Sequence, residues 1–134
     1  NEKGYKSTVI AKGNDTQLSC TSDSTCNITS ATIQAWSNKR ISSQRKWIRI
    51  DASIKGTNNV FGGRIQSTLQ IGDSTKVSSI RLARPLAEKD EFNEYAFYME
   101  IPRYHKPIDV SLTVVPNPNK VIQLQSYQIT LLTK

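Results

Sequence analysis

The stretch that decides the fold is EYAFYMEIPRYHKPIDVSLTVV, residues 94–115. Apolar residues take alternate positions in both halves of it: Tyr95, Phe97, Met99 and Ile101, then Ile108, Val110, Leu112 and Val114. Alternate residues of an extended chain share one face, so each half predicts a strand with one apolar face. Pro102 and Pro107 cannot donate a ladder hydrogen bond, which places them at strand ends. The stretch therefore predicts a pair of strands with a basic turn between them.

Short segments of similar character recur along the chain, separated by turn signals such as Gly13-Asn14-Asp15 and Gly72-Asp73. A change of parity at Gln125-Ser126 predicts a β-bulge in the last strand. Seven to nine short strands favour an all-β fold, namely an antiparallel sandwich that is immunoglobulin-like or similar, with a small barrel as the alternative. Residues 1–134 are expected to form one domain. Its predicted core includes Ile50, Phe97, Leu112 and Ile129.

The composition says more about the binding partners of the protein than about its fold. The chain has 18 Lys plus Arg against 11 Asp plus Glu, a net charge of +7. Charge of this size favours anionic partners such as acidic glycans or other polyanions. No apolar run approaches the 18 residues of a transmembrane helix, so no membrane-spanning segment is predicted.

The cysteines Cys20 and Cys26 are the only two in the chain. We predict a disulfide between them, which for so short a loop would contribute roughly 2 kcal/mol. Two free thiols and a metal site are the alternatives, but a zinc shell would need carboxylates because the chain has one histidine. The disulfide predicts an oxidising compartment, so the protein is expected to be secreted, periplasmic or on the cell surface.

Enzyme chemistry has little support in the sequence. The histidine, His105, lies in a basic turn, and no motif marks a nucleophile or an orienting carboxylate for it. The chain has no Gly-x-Ser-x-Gly, phosphate loop or dinucleotide fingerprint. We therefore predict a protein that is not an enzyme, with no catalytic residues, cofactor or bound metal.

A basic patch flanked by two tryptophans is the first candidate binding site. Its residues are Trp36, Lys39, Arg40, Arg45, Lys46, Trp47 and Arg49. Cations release counterions from a polyanion, and exposed indoles offer stacking platforms for bases or sugar rings. The alternative is a solvated hairpin loop whose tryptophans pack in the core.

A second basic turn comprises Arg103, Tyr104, His105 and Lys106. It would extend the basic patch if the fold brought the two segments together, which the sequence cannot establish. Both terminal segments also read as apolar strands, so addition of a strand between subunits is physically available.

The leading hypothesis is a non-enzymatic extracytoplasmic module for binding or assembly, such as an adhesive or structural cell-surface subunit that contacts a protein partner or like subunits. A secreted module that binds acidic glycans or nucleic acid through the basic patch is the alternative, and an enzyme or enzyme inhibitor comes third.

Overall fold

The computed structural model describes residues 4–13, 18–21, 26–36, 45–57, 63–81, 93–116 and 121–133. These residues form nine strands: β1 (Lys6–Gly13), β2 (Leu18–Thr21), β3 (Cys26–Ile33), β4 (Trp47–Thr57), β5 (Arg64–Ile71), β6 (Ser74–Arg81), β7 (Asn93–Glu100), β8 (Ile108–Val115) and β9 (Val121–Thr133). Within the same residues no helix is long and apolar enough to cross a membrane. The predicted all-β character is confirmed.

The strands form two sheets, and every pairing found among them is antiparallel. Sheet A has the order β1-β9-β4-β7, and sheet B has the order β3-β8-β5-β6. The short β2 also pairs with β9, next to the segment that pairs with β1, so β1 and β2 together make one interrupted edge. From β2 onward the chain changes sheet at each connection except the β5–β6 hairpin. This order is that of a jelly roll, so the sandwich is confirmed with a connectivity that differs from the immunoglobulin one.

The core lies between the two sheets and is almost entirely aliphatic. Its fully buried large side chains are Ile48, Ile50, Ile65, Leu69, Ile101, Ile108, Leu112, Ile122, Leu124 and Ile129. Burial of Ile50, Leu112 and Ile129 confirms three of the four predicted core positions. The fourth, Phe97, is only partly buried. It lies on β7, the edge strand of sheet A, where the second sheet covers inward side chains less completely.

The two strands of residues 94–115 are present, but they do not pair with each other. β7 pairs with β4 in sheet A, whereas β8 lies between β3 and β5 in sheet B. Residues 101–107 therefore connect the sheets at one end of the sandwich, and the expected hairpin is wrong. Two strands with apolar inner faces satisfy their pattern equally well side by side or face to face, so the alternation could not distinguish these arrangements.

The predicted bulge in β9 is confirmed. Ser53 pairs with Ser126 while the next residue, Ile54, pairs with Leu124, which makes Gln125 the extra residue. The Ser53 hydroxyl donates to Gln125 Oε1 at 3.1 Å. The bulge keeps the apolar residues on both sides of it directed into the core although they differ in parity.

Candidate functional site

The outer face of sheet A carries the polar half of each alternating strand. On β4, Ile48, Ile50 and Ala52 point inward, so the residues between them point to the outer face: Trp47, Arg49, Asp51 and Ser53. Each of these residues lies about 7 Å from the next one along the strand, so the row that they form is about 20 Å long.

Strand register supplies the neighbours of these β4 residues. Arg49 lies between Thr130 of β9 and Tyr98 of β7, and Asp51 lies next to Gln128 of β9. The outer face is thereby assembled from strands that are far apart in the sequence.

A groove of about 450 Å³ opens on this face. Its lining is mostly polar: Ser7, Val9, Arg49, Asp51, Ala52, Ser53, Glu94, Ser126, Tyr127, Gln128 and Thr130. The volume falls in the range of sites for small molecules or short ligand segments.

An ion pair orients the charged groups at the centre of the groove. Arg49 Nη2 lies 3.1 Å from Asp51 Oδ1, and Arg49 Nε donates to the same oxygen at 3.1 Å. The guanidinium carbon also lies 5.8 Å from the centroid of the Tyr98 ring, within cation–π range. Both side chains remain partly exposed and so can be reached by a ligand.

Neutral polar groups lie beside this pair. Gln128 Nε2 donates to Thr130 Oγ1 at 3.1 Å, which orients the amide and leaves its oxygen as an acceptor. Tyr98 and Val9 are 46% and 51% exposed, and they provide apolar surface on the same sheet. The outer face of sheet A thus combines the directed hydrogen-bonding groups of the groove with the aliphatic Val9 and with the Tyr98 ring beside it.

The described residues that line the groove include no histidine or cysteine. Asp51 and Glu94 are diagonal neighbours across β4 and β7, because Ser53 pairs with Glu94 and Asp51 with Ala96. No group of three or more metal-binding side chains occurs in the described residues.

The structure divides the predicted basic patch. Lys39 and Arg40 lie outside the described residues. Arg49 belongs to the groove, and Trp47 is partly buried on the same outer face. Trp36 is 3% exposed, so its indole packs in the core and is not a stacking platform.

Lys46 and Arg45 lie at one end of the sandwich, just before β4. The Lys46 ammonium donates to the Ala35 carbonyl and lies 5.1 Å from the centroid of the Trp36 ring. Arg45 is exposed, and its Nε lies 3.6 Å from Glu100 Oε2. The lysine thus fixes the chain around Trp36, whereas the arginine faces solvent.

The second basic turn lies at the same end. The Ile101 amide donates to the Lys46 carbonyl at 2.9 Å, and Gln34 Nε2 donates to the His105 carbonyl at 2.7 Å. Arg103, His105 and Lys106 are exposed. The structure therefore brings part of the basic patch next to the second basic turn, which the sequence left open.

Tyr104 in this turn packs toward the β5–β6 hairpin. A Cβ at Gly72 would lie 2.8 Å from the Tyr104 hydroxyl, and the backbone φ of 60° at Gly72 is one that other residues rarely adopt. The Tyr104 ring also lies 5.8 Å from that of His105 with an interplanar angle of 45°. Its hydroxyl is thus held against the protein.

Most residues that line the groove carry no signal in the sequence that marks them as a site: Ser7, Val9, Asp51, Ser53, Glu94, Ser126, Tyr127, Gln128 and Thr130. Strand alternation could have shown that many of them face outward. It could not have shown that they are neighbours, because that depends on the order and register of the strands.

The two cysteines lie on strands of different sheets. Cys20 pairs with Ile122 in sheet A, and Cys26 pairs with Val114 in sheet B. The side chain of Cys20 lies outside the described part of the chain, so the disulfide stays a prediction.

No protein-family model matches this chain, and no curated protein matches it. Among solved structures it is similar to dimeric latent PorU from Porphyromonas gingivalis, with 8% identity and a TM-score of 0.48 over 97% of this chain and 13% of that chain. The apo CBM1 of BiXyn10A has 14% identity and a TM-score of 0.41 over 75% of this chain and 62% of that chain. The C-terminal CBM6 of LamC, a marine laminarinase from Zobellia galactanivorans, has 13% identity and a TM-score of 0.43 over 99% of this chain and 95% of that chain. This chain thus spans a small part of the PorU chain and less than two thirds of the BiXyn10A chain, and at these TM-scores no function follows from the likenesses.

Proposed function

We propose that this chain is a non-catalytic binding module whose groove on sheet A takes an uncharged glycan. The observation that carries the proposal is the groove itself, in which oriented polar side chains lie beside exposed apolar surface.

Sugar hydroxyls both donate and accept hydrogen bonds, and the groove offers partners of both kinds. The Asp51 carboxylate and the Gln128 amide oxygen accept, while Ser126 and the Arg49 guanidinium donate. Arg49 and Gln128 are already held by bonds within the protein, so less side-chain entropy is lost when a ligand binds.

The less polar faces of a sugar ring need apolar surface. Tyr98 stands in register beside Arg49, and Val9 lies beyond Thr130 on the same outer face. Together they give apolar contacts on both sides of the central polar row, an arrangement suited to a ring lying across the strands.

Charge balance favours an uncharged ligand in this groove. Among the described residues of its lining the cation is Arg49, which is paired with Asp51, and Glu94 adds a further carboxylate. A polyanion would meet no excess of positive charge there. The groove therefore differs from the basic end of the molecule in the ligand that it suits.

Absence of catalysis remains part of the proposal. Glycosidases also use two carboxyl groups in a groove, but one of the two must be protonated to act as the catalytic acid. Both groove carboxylates lie on a solvent-facing sheet surface, and the Asp51 carboxylate is held by the Arg49 guanidinium. This arrangement supports binding.

An extracytoplasmic location also remains a proposal. It rests on the predicted Cys20–Cys26 disulfide, which is supported by the lack of a free cysteine in the described part of the chain.

Adhesion or assembly through protein contacts is the second candidate. Strand addition by β9 is disfavoured because β9 pairs with β1 and β2 on one side and with β4 on the other. No described strand pairs with the outer side of β1, so that edge is where a partner strand could add. Exposed Lys6 and Lys12 on β1 oppose such pairing, which makes the groove the better-supported site.

Affinity electrophoresis in gels that contain neutral polysaccharides tests the proposal. Xylan, mixed-linkage β-glucan and galactomannan form the panel, and at least one of them should retard the protein. Tyr98→Ala and Gln128→Ala should each weaken that binding about 5-fold or more, the effect of losing one contact worth about 1 kcal/mol.

Val77→Ala is the matched control. Val77 is 52% exposed on the outer face of sheet B and should leave the binding unchanged. Failure of the whole panel, or equal weakening by all three substitutions, would count against the groove as a glycan site.

A further inference from the structure

We infer that a second site, for an acidic polysaccharide, lies at the end of the sandwich where residues 45–46 meet residues 101–107. The bond from the Ile101 amide to the Lys46 carbonyl fixes the two segments side by side. The bond from Gln34 to the His105 carbonyl fastens the turn to the segment that follows β3. The site is therefore formed by three segments that are separate in the sequence.

The cations at this end have two distinct roles. Lys46 donates to Ala35, and Lys76 Nζ donates to the Glu100 carbonyl at 2.8 Å, so both lysines connect parts of the fold. Arg45, Arg103 and Lys106 are exposed, with His105 between the last two. Three cationic side chains thus face solvent, and the segments that carry them are held in place in part by Lys46 and Lys76.

Among the described residues, this end has fewer carboxylates than cations, and some of these carboxylates already have partners within the protein. Glu100 lies near Arg45, Asp109 accepts from the Thr32 hydroxyl at 2.8 Å, and Asp73 lies in the hairpin turn next to Gly72. The local excess of positive charge adds to the net charge of +7 of the whole chain, which favours the approach of anions.

The Arg45–Glu100 pair is open to exchange. Its atoms are 3.6 Å apart, and the Arg45 side chain is 69% exposed. Exposed pairs of this kind contribute little to stability, because water and salt screen them. A sulfate or carboxylate group of a ligand can replace Glu100, since guanidinium binds such groups through two parallel hydrogen bonds.

A polysaccharide suits this end better than a nucleic acid does. Single-stranded nucleic acids are held largely by stacking of bases on exposed rings. Here Trp36 is buried, and the Tyr104 hydroxyl is held against Gly72. In the described part of this end the exposed groups are therefore mainly cationic, which matches a ligand recognised through its anionic groups.

Heparin, a sulfated polysaccharide, is the probe for this site. The variant Arg45→Gln/Arg103→Gln/Lys106→Gln is compared with Lys12→Gln/Arg64→Gln/Arg81→Gln, which removes the same charge from exposed positions away from this end. If each lost contact reduces the slope of log Kobs against log[NaCl] by about 0.7–0.9, the value for nucleic-acid phosphates, the first variant should lose about 2–3 in slope. The control variant should lose less than half of that.

An NMR titration of the wild-type chain with a heparin hexasaccharide gives a second, mutation-free measurement. Amide shifts should change at residues 45–46 and 103–106 and not at residues 126–130 of the groove. Equal loss of heparin binding in both variants would show an effect of net charge only and would overturn the proposal. Tighter binding of oligo(dT) than of heparin at equal salt would overturn it in favour of a nucleic-acid site.

The outcome is independent of the groove proposal. Neutral polysaccharides and the Tyr98 and Gln128 variants test sheet A, whereas heparin and the charge variants test this end.

Discussion

Gly13 on β1 lies directly opposite Tyr127 on β9, and replacing it with alanine tests that packing. A Cβ at Gly13 would lie 2.4 Å from Tyr127 Cε1 and 2.8 Å from Cζ. Carbon atoms in contact prefer about 3.5–4.0 Å, so the ring must move by about 1 Å or more. Overpacking of this kind costs about 1–3 kcal/mol, while the loss of glycine freedom in the unfolded chain returns about 0.4–1 kcal/mol. We expect Gly13→Ala to lower the free energy of unfolding by about 1–2 kcal/mol.

Urea denaturation of a double-mutant cycle provides the assay. Tyr127→Ala removes the ring, so adding Gly13→Ala in that background should cost nothing or stabilise the fold slightly. The coupling energy between the two positions should therefore be about 1–3 kcal/mol, the cost of the overpacking itself. Additive effects within about 0.5 kcal/mol, or a Gly13→Ala variant as stable as the wild type, would refute the predicted contact.

Three further predictions concern the core, the cysteines and alkaline pH. In urea denaturation, Ile50→Ala should lower the free energy of unfolding by about 2–5 kcal/mol. Phe97→Ala should lower it by less than about 3 kcal/mol, because the Phe97 ring is only partly buried. A larger loss for Phe97→Ala would place that ring deeper in the core. Thiol titration of protein denatured without reductant should find no reactive thiol at Cys20 or Cys26, and two reactive thiols would remove the argument for export. Burial raises the pKa of the Tyr95 phenol above 10.0, so its contribution to stability is present below that pH and is lost as the pH rises through the folded-state pKa. Tyr95→Phe should therefore make the free energy of unfolding less sensitive to pH in this range. An unchanged sensitivity would contradict the predicted role of Tyr95.

Alternation predicted most of the strands, the core side of most of these and the bulge in β9, but it did not predict the short β2. These features depend on neighbours along the chain, such as Ile48 and Ile50 or Gln125 and Ser126. The arrangement of β7 and β8 could not be predicted in the same way. The alternation of apolar residues shows which face of a strand is apolar. It does not show whether two such strands pair in one sheet or pack against each other from opposite sheets.

The candidate groove was harder to predict for the same physical reason. Arg49 was identified by its charge, yet Tyr98, Gln128 and Val9 join it only through register between strands far apart in the sequence. The tryptophans were ambiguous for a different reason. A large aromatic suits a core and a ligand platform equally well, and the burial of Trp36 follows from tertiary packing alone.

The central place of β9 constrains the order in which the protein can fold during synthesis. The ribosome releases β1 and β2 first, but their hydrogen-bonding partner, residues 121–133, is the last described segment to emerge. Until then β1, β2 and one side of β4 expose unpaired backbone groups, which are templates for association with other chains. Closing a loop that includes nearly the whole chain is also a slow step in folding. A nascent chain that stops before Val121 would thus lose the middle of sheet A together with its last strand, and even a small C-terminal truncation should lower the soluble yield more than an equal truncation at the N-terminal edge.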